Sequence, residues 1–247
     1  MDPAYYVAAG SLKARSLQLE TVSNNLANSA TIAYKPERTF FSVFNKALSS
    51  NRDLPMTKYV NDGTVLATRG MDFSQGVSKP TGRKLDLAIE GNAFFQVQTP
   101  QGTRATRDGR FQLGANGQIQ TQDGFALLGK NGQPITINPA AGEVAITPDG
   151  TVQQGNTTVG QLDLKAYADP NALQRAGSNR FDATGAAEAP TKATVSQGYL
   201  EQSGVDVASA MVEMIRLDRL FEMSMKVAST LSNDLDNSTI NSIAKGQ

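Results

Sequence analysis

The carboxylates Asp86 and Glu90 flank Leu87, Ala88 and Ile89, in a stretch where Leu85, Leu87 and Ile89 alternate with Asp86, Ala88 and Glu90. Two carboxylates on one face of a strand could act as general acid and base in sugar hydrolysis. Four residues at about 3.3 Å each put them roughly 13 Å apart, whereas glycosidase pairs stand about 5–9.5 Å apart. The pair is expected as solvated strand surface, opposite a buried apolar face. Arg104, Arg107 and Arg110 form a basic run, but Asp108 interrupts it and no aromatic platform accompanies it, so it lacks what single-stranded nucleic acid requires. Asp123-Gly124 and Asp149-Gly150 lack the acid spacing of a calcium loop and read as turns. No Walker sequence and no dinucleotide fingerprint occurs.

Composition narrows the chemistry further. The 247 residues include no Cys, His or Trp. Thiol nucleophiles, imidazole bases and the thiolate-imidazole ligands of structural zinc are therefore excluded. The 23 basic and 23 acidic side chains cancel, which argues against nucleic acid as the main partner and tolerates self-association. No apolar run approaches a membrane span, and MDPAYYVAAGSLKARS shows no basic-then-apolar leader. The expectation at this point is a neutral protein without these chemistries, without nucleic-acid partner or membrane insertion, and exported, if at all, without a cleaved signal.

The elements that must position any working residues differ between the ends and the middle. Tyr5, Ala8, Leu12, Leu19, Val22 and Leu26 follow helical spacing, predicting a helix over 3–28 with one stripe for another helix. Asn24, Asn25 and Asn28 weaken its end. They serve either as ordinary caps or as amides for neighbouring chains; spacing favours neither. A second helix is predicted over 205–243, with a seam of Val207, Met211, Met214, Asp218, Phe221, Met225 and Ala228. Val212, Ile215, Leu217, Leu220, Val227 and Leu231 are apolar on other faces, and a helix apolar on several sides needs cover on several sides. One partner helix cannot provide it, so this helix points outward to neighbouring subunits.

Between the ends, period-two patterning is punctuated by Asp-Gly at 62–63, 108–109, 123–124 and 149–150 and Asn-Gly at 116–117 and 131–132, dipeptides suited to the positive φ of hairpin turns. Strands fit at 85–90, 110–113, 118–121, 125–128, 143–146, 151–153 and 162–166, with a loop over 183–194. Phe94 and Phe95 face opposite sides of a strand, one for the core and one for an interface. Residues 35–80 read as a polar, extended connector.

At the asparagine tract a resemblance enters. Val22-Ser23-Asn24-Asn25-Leu26-Ala27-Asn28-Ser29-Ala30-Thr31 with Tyr34-Lys35 resembles the N-terminal signature of bacterial flagellar axial proteins. The likeness continues through 85–97, Thr106-Arg107-Asp108-Gly109-Arg110-Phe111, Gln122-Asp123-Gly124-Phe125, Gln197-Gly198-Tyr199-Leu200-Glu201 and Met211-Val212-Glu213-Met214-Ile215. These blocks keep the family's order over nearly the whole chain. The short length is similar to that of rod proteins and unlike the longer hook protein. The opening Met1-Asp2 and the segments 128–135 and 221–226 are most similar to proximal rod proteins, with distal rod proteins next because much of the β region resembles them equally well. Ala33 stands where the family usually has Gly, Gly204 where it has Asn, and Asp218 where Gln is frequent.

The resemblance implies an α+β fold. A discontinuous coiled-coil domain of the terminal helices (1–34 and 203–247) would be joined through an extended connector (35–80) to an inserted antiparallel all-β outer domain (81–202). It also implies a structural subunit of the basal-body rod, a non-enzyme without catalytic residues, cofactor or metal, located in the periplasm and passed unfolded through the flagellar type III export apparatus. Its partners would be copies of itself and other rod proteins. The expected subunit-interface residues are Leu12, Leu19, Val22, Asn24, Asn25, Leu26, Asn28, Met211, Met214, Ile215, Leu217, Leu220, Phe221, Met225, Val227 and Leu231. The rival classes are a peptidoglycan-modifying enzyme, which needs a convergent acidic pair, and an adhesin-like β protein, which needs neither helical end.

Overall fold

The computed structural model describes residues 3–43 and 65–244. The Asp62-Gly63 turn lies outside these residues, as does the side chain of Leu231. The fold is α+β: α1 (Pro3–Ala27) and α2 (Val207–Ala244) bracket eighteen strands among the described residues. Two compact units emerge. One takes α1, β1 (Glu37–Val43), β2 (Val65–Met71) up to Gly70, and α2; the other takes 28–36 and 71–205. Residues 28–34, expected with the terminal helices, and residues 35–36 and 71–80, expected in the connector 35–80, thus cluster with the β-rich unit.

In the helical unit α1 lies against α2. The stripe of α2 that turns away from solvent is Ala210, Met214, Leu217, Phe221, Ser224 and Ala228, spaced four-three-four-three-four, with only Leu217 fully buried. This corrects the predicted seam. Met214, Phe221 and Ala228 are shared, but Met211, Asp218 and Met225 face solvent. Burying Asp218 would desolvate a carboxylate, and a small rotation of the helix puts Leu217 there instead. Asp206 caps α2, its carboxylate accepting from the Ala208 amide at 3.3 Å and from Ser209 Oγ.

The β-rich unit is organised by β5 (Ala93–Thr99). It pairs antiparallel with β6 (Gly102–Thr106), β9 (Ala126–Leu127) and β13 (Leu164–Tyr167) in a nine-stranded sheet. β7 (Phe111–Leu113), β8 (Ile119–Thr121), β14 (Gln174–Arg175), β15 (Arg180–Asp182) and β16 (Glu188–Ala189) complete that sheet. β16, which pairs with β13, lies in the stretch predicted as loop. β10 (Val144–Ile146), β11 (Thr151–Gln154) and β12 (Thr157–Gln161) form an antiparallel three-stranded sheet. Two ribbons close the unit: β3 (Ser78–Pro80) with β18 (Tyr199–Glu201), and β4 (Leu87–Glu90) with β17 (Thr194–Gln197).

Adjacent Phe94 and Phe95 are both buried, one on each face of β5, so neither is left for an interface. Phe95 meets Phe111 edge-on with centroids 5.2 Å apart, in a core with Leu87, Ile89, Val97 and Leu127. Phe94 meets Phe73 at 5.8 Å and Phe181 at 5.9 Å in a second core with Leu173 and Tyr167. Each buried ring contributes on the order of 1.5–3 kcal/mol. β4 departs from its predicted two-faced character: Asp86, Leu87, Ala88 and Ile89 are all buried, so both faces of this stretch are covered.

The glycines of the turns at 117, 124, 132 and 150 do have positive φ, but Gly109 does not. A Cβ there would stand 1.6 Å from the Leu87 carbonyl oxygen; close approach of two backbones explains this glycine. At Gly124, with φ +85°, a Cβ would meet open space. Gly109→Ala is therefore expected to lower stability by about 3 kcal/mol or more, since backbone must move, and Gly124→Ala by about 1–2 kcal/mol. Urea unfolding midpoints of the two variants provide the comparison; equal losses would refute the close-approach account.

Candidate assembly site

Lys35 and Glu201 each keep about 1% of the side chain exposed, and Lys35 Nζ donates to Glu201 Oε1 at 2.6 Å. The same ammonium donates to the Ser74 carbonyl at 2.7 Å. Glu201 Oε1 also accepts the Gly76 amide at 2.8 Å, and Oε2 receives Arg107 Nη1 at 3.4 Å. Arg107 Nη2 donates to the Gly91 carbonyl at 2.6 Å, and its guanidinium lies 4.9 Å over the Phe94 ring. One carboxylate thus holds two buried cations. Burial pushes the Lys35 ammonium below its ordinary 10.5, and attraction to Glu201 works against that shift. Burial also lowers Arg107, again opposed by Glu201.

The backbone around this cluster is sewn together. The Ala33 amide donates to the Glu201 carbonyl at 2.8 Å, and the Gly204 amide to the Tyr34 carbonyl at 3.0 Å. Asn179 Nδ2 reaches the Ile32 carbonyl at 2.7 Å, and Arg175 Nη2 the Lys35 carbonyl at 2.5 Å, with its guanidinium over Tyr34. Ala33 holds φ +56° while buried, a left-handed conformation that costs an L-residue about 1–2 kcal/mol. The segment that follows α1 in sequence and the segment that precedes α2 are thereby clasped within the β-rich unit. Sequence reasoning passed over Lys35, Arg107 and Glu201 as a group. Their signal was there: each sits in a separate resembling block, with opposite charges available to meet.

In the helical unit, Leu12, Leu19, Val22 and Leu26 on α1 are half-buried. Asn25 grips the start of β1 with both ends of its amide: Nδ2 donates to the Glu37 carbonyl at 2.8 Å, and Oδ1 accepts the Glu37 amide at 2.9 Å. Asn28, in the β-rich unit, accepts Thr31 Oγ1 at 3.2 Å, and Asn24 is exposed. On α2, Met214, Leu220 and Phe221 are half-buried beside buried Leu217. Met211, Ile215, Met225 and Val227 stand exposed, as do Val207, Val212 and Met223.

Asp86 and Glu90 do not converge. Asp86 is buried, with Arg83 Nε 3.8 Å away, whereas exposed Glu90 accepts Ser196 Oγ at 3.3 Å. Among the described residues no group of three or more acidic side chains could hold a metal ion, and no helix is long and apolar enough to cross a membrane.

Three family descriptions match along the chain: "Flagella basal body rod protein" over residues 6–35, "Flagellar hook protein FlgE/F/G D1 domain" over 88–154, and "Flagellar basal body rod FlgEFG protein C-terminal" over 196–241. The flagellar basal-body rod protein FlgF of Caulobacter vibrioides is 34% identical over 99% of both chains. This chain belongs to the flagellar basal-body rod protein family. The rod protein FlgG of Buchnera aphidicola subsp. Schizaphis graminum is 33% identical over 93% of this chain and 96% of its own. FlgG of Buchnera aphidicola subsp. Acyrthosiphon pisum is 32% identical over the same shares. As a member of the rod family the chain is a structural subunit of the flagellar basal body. The clasp partners fall within or beside matched segments: Lys35 closes the first and Glu201 lies in the last.

Glu201→Ala is expected to cost about 3–5 kcal/mol, because it leaves two buried cations without their carboxylate; the urea unfolding free energy of the full chain reads this directly. For Lys35 the folded value lies below the unfolded 10.5. Across that window the unfolded chain binds a proton that the folded chain lacks, so stability rises with pH. Lys35→Met should remove this rise, flattening the unfolding midpoint against pH just below 10.5 relative to the unsubstituted chain.

Proposed function

We propose that this chain polymerises with copies of itself and with other rod proteins into the helical drive-shaft tube of the flagellum. The tube transmits torque and conducts later exported subunits. In this reading the terminal helices form a discontinuous coiled-coil core domain (1–34 and 203–247) and residues 81–202 an outer β domain. The rod lies in the periplasm, and the subunit reaches it unfolded through the flagellar type III export apparatus, without a cleaved signal. The interface comprises the stripe Leu12, Leu19, Val22 and Leu26, the amides Asn24, Asn25 and Asn28, and the apolar residues of α2 from Met211 to Leu231.

The observation that carries this reading is the apolar surface of α2. Met211 is 50%, Ile215 57%, Val212 68% and Met223 63% exposed in the single chain. Scattered apolar residues on a surface need no explanation, but several on one helix mark an interaction surface. Assembly would cover them, coupling the ordering of the helix ends to incorporation. The likenesses at Met1-Asp2, 128–135 and 221–226 support the proximal rod subtype, and the distal rod is the second reading, because much of the β region resembles both.

Two measurements test the proposal. Deleting residues 205–247 should abolish recovery of the subunit in purified basal bodies while circular dichroism of the truncated chain retains its β signal. Undiminished recovery would overturn the assembly role of the C-terminal helix. Imaging a tagged subunit in intact basal bodies should place it beside the export gate; a position inside the outer bushing rings would replace proximal with distal rod.

A further inference from the structure

Residues 194–204, the last stretch of the β-rich unit, run across several separate parts of it. β17 lies antiparallel to β4 with Val195 opposite Ile89 and Gln197 opposite Leu87, and β18 lies antiparallel to β3 with Glu201 opposite Ser78. Between these two strands the Gly198 amide donates to the Asp86 carbonyl at 2.7 Å, and the Gly198 carbonyl accepts the Thr81 amide at 2.8 Å. The Val195 amide donates to the Pro148 carbonyl at 2.9 Å. The Gln197 side chain reaches three more backbone groups: Oε1 accepts the Ile146 amide at 3.0 Å, and Nε2 donates to the Lys84 and Val144 carbonyls at 2.8 and 3.0 Å. At the far end the Gln202 amide donates to the Val77 carbonyl at 2.9 Å, beside the Ala33–Glu201 and Gly204–Tyr34 bonds.

Both cores draw on this stretch. Buried Val195 belongs to the core that holds Leu87, Ile89, Phe95 and Leu127. Glu201 supplies the carboxylate for Lys35 and Arg107, and Arg107 lies over Phe94 of the second core. Arg107 opposes the charge on Lys35, so without Glu201 two like charges would share a dry site. We propose that 194–204 is a closing strap: the β-rich unit packs as one cooperative body only when this stretch is in place, and a chain that lacks it stays open. The strap follows 193 of the 247 residues. A chain synthesised from its first residue therefore cannot close the unit until most of its length exists. Pairings of such long sequence separation cost loop-closure entropy before any contact repays it. The use of this delay rests on the export reading above: a subunit that must travel unfolded carries its own hold against early folding.

Native-state hydrogen exchange of the purified full-length chain, followed amide by amide in urea below the unfolding transition, tests the strap. The strap amides of Val195, Gly198 and Gln202 and the core amides of Ile119, Leu128 and Ile135 should exchange through one opening, with equal free energies and equal urea slopes. These core amides donate to the Ile135, Gln96 and Leu127 carbonyls, all outside the strap, so local fraying of the strap would leave them protected. Strap amides that exchange through a smaller opening while the core stays protected would overturn the proposal. Two substitutions supply the second arm. Gln197→Ala removes three hydrogen bonds and should speed exchange of both sets by one common factor, about tenfold or more. Glu201→Gln should speed both by more than about a hundredfold. Acceleration confined to the strap and its bonded neighbours sinks the idea. Should Glu201→Gln fail to fold, the milder Gln197→Ala still decides between these outcomes. Exchange on the purified chain does not depend on assembly: separate openings count against the strap alone, whereas absence of the chain from basal bodies counts against the rod-subunit reading.

Discussion

A single carboxylate, Glu201, lies between the Lys35 ammonium and the Arg107 guanidinium with almost no access to water. Such a group is costly unless every partner is in place, so its surroundings are constrained together. The 71–76 segment must bring Ser74 and Gly76 to the pair, and β5 must present Phe94 beneath Arg107. The second aromatic core forms around that same Phe94, with Phe73 and Phe181 edge-on. Charge cluster and aromatic core therefore share a residue, and each limits how the other can move.

The cluster also ties distant chain segments to one patch of the β-rich unit. The chain enters this unit at Asn28 and leaves it for the last time at Val205, with residues 37–70 belonging to the other unit. Between those points and the sheets stand the Ala33–Glu201 and Gly204–Tyr34 backbone bonds, the Lys35–Glu201 pair, and the side-chain holds of Asn179 and Arg175 on Ile32 and Lys35. A pull on the chain at either point loads one bonded patch that joins both, instead of a lone strand edge.

What the sequence shows, and what it hides, follows physical lines. The helices at 3–27 and 207–244 and the short strands between the Asp-Gly and Asn-Gly turns were legible because period and turn chemistry are local. The two-sided burial of β4 was not, because alternation within the strand carries no sign of what packs on either face, and even its paired strand β17 lies about a hundred residues away. Phe94 and Phe95 were correctly placed on opposite faces, yet nothing local says that both faces are covered. The Lys35–Arg107–Glu201 cluster joins residues 166 and 94 positions apart. No spacing rule reaches that far; only the family likeness marked those blocks as belonging together.

The helix α2 shows the same limit at closer range. Its apolar residues lie on several sides, so the heptad seam can be drawn in more than one register, and hydrophobicity alone favours none strongly. Desolvation breaks the tie. A seam through 211, 218 and 225 would bury Asp218, whereas the observed seam through 210, 217 and 224 buries Leu217 and releases the carboxylate to water. That rotation has a second consequence, for it leaves Asp218 and Glu222 on one flank and Arg216 and Arg219 on the other. The rotation that buries Leu217 thus leaves the carboxylates and the guanidiniums on separate sides of the exposed surface.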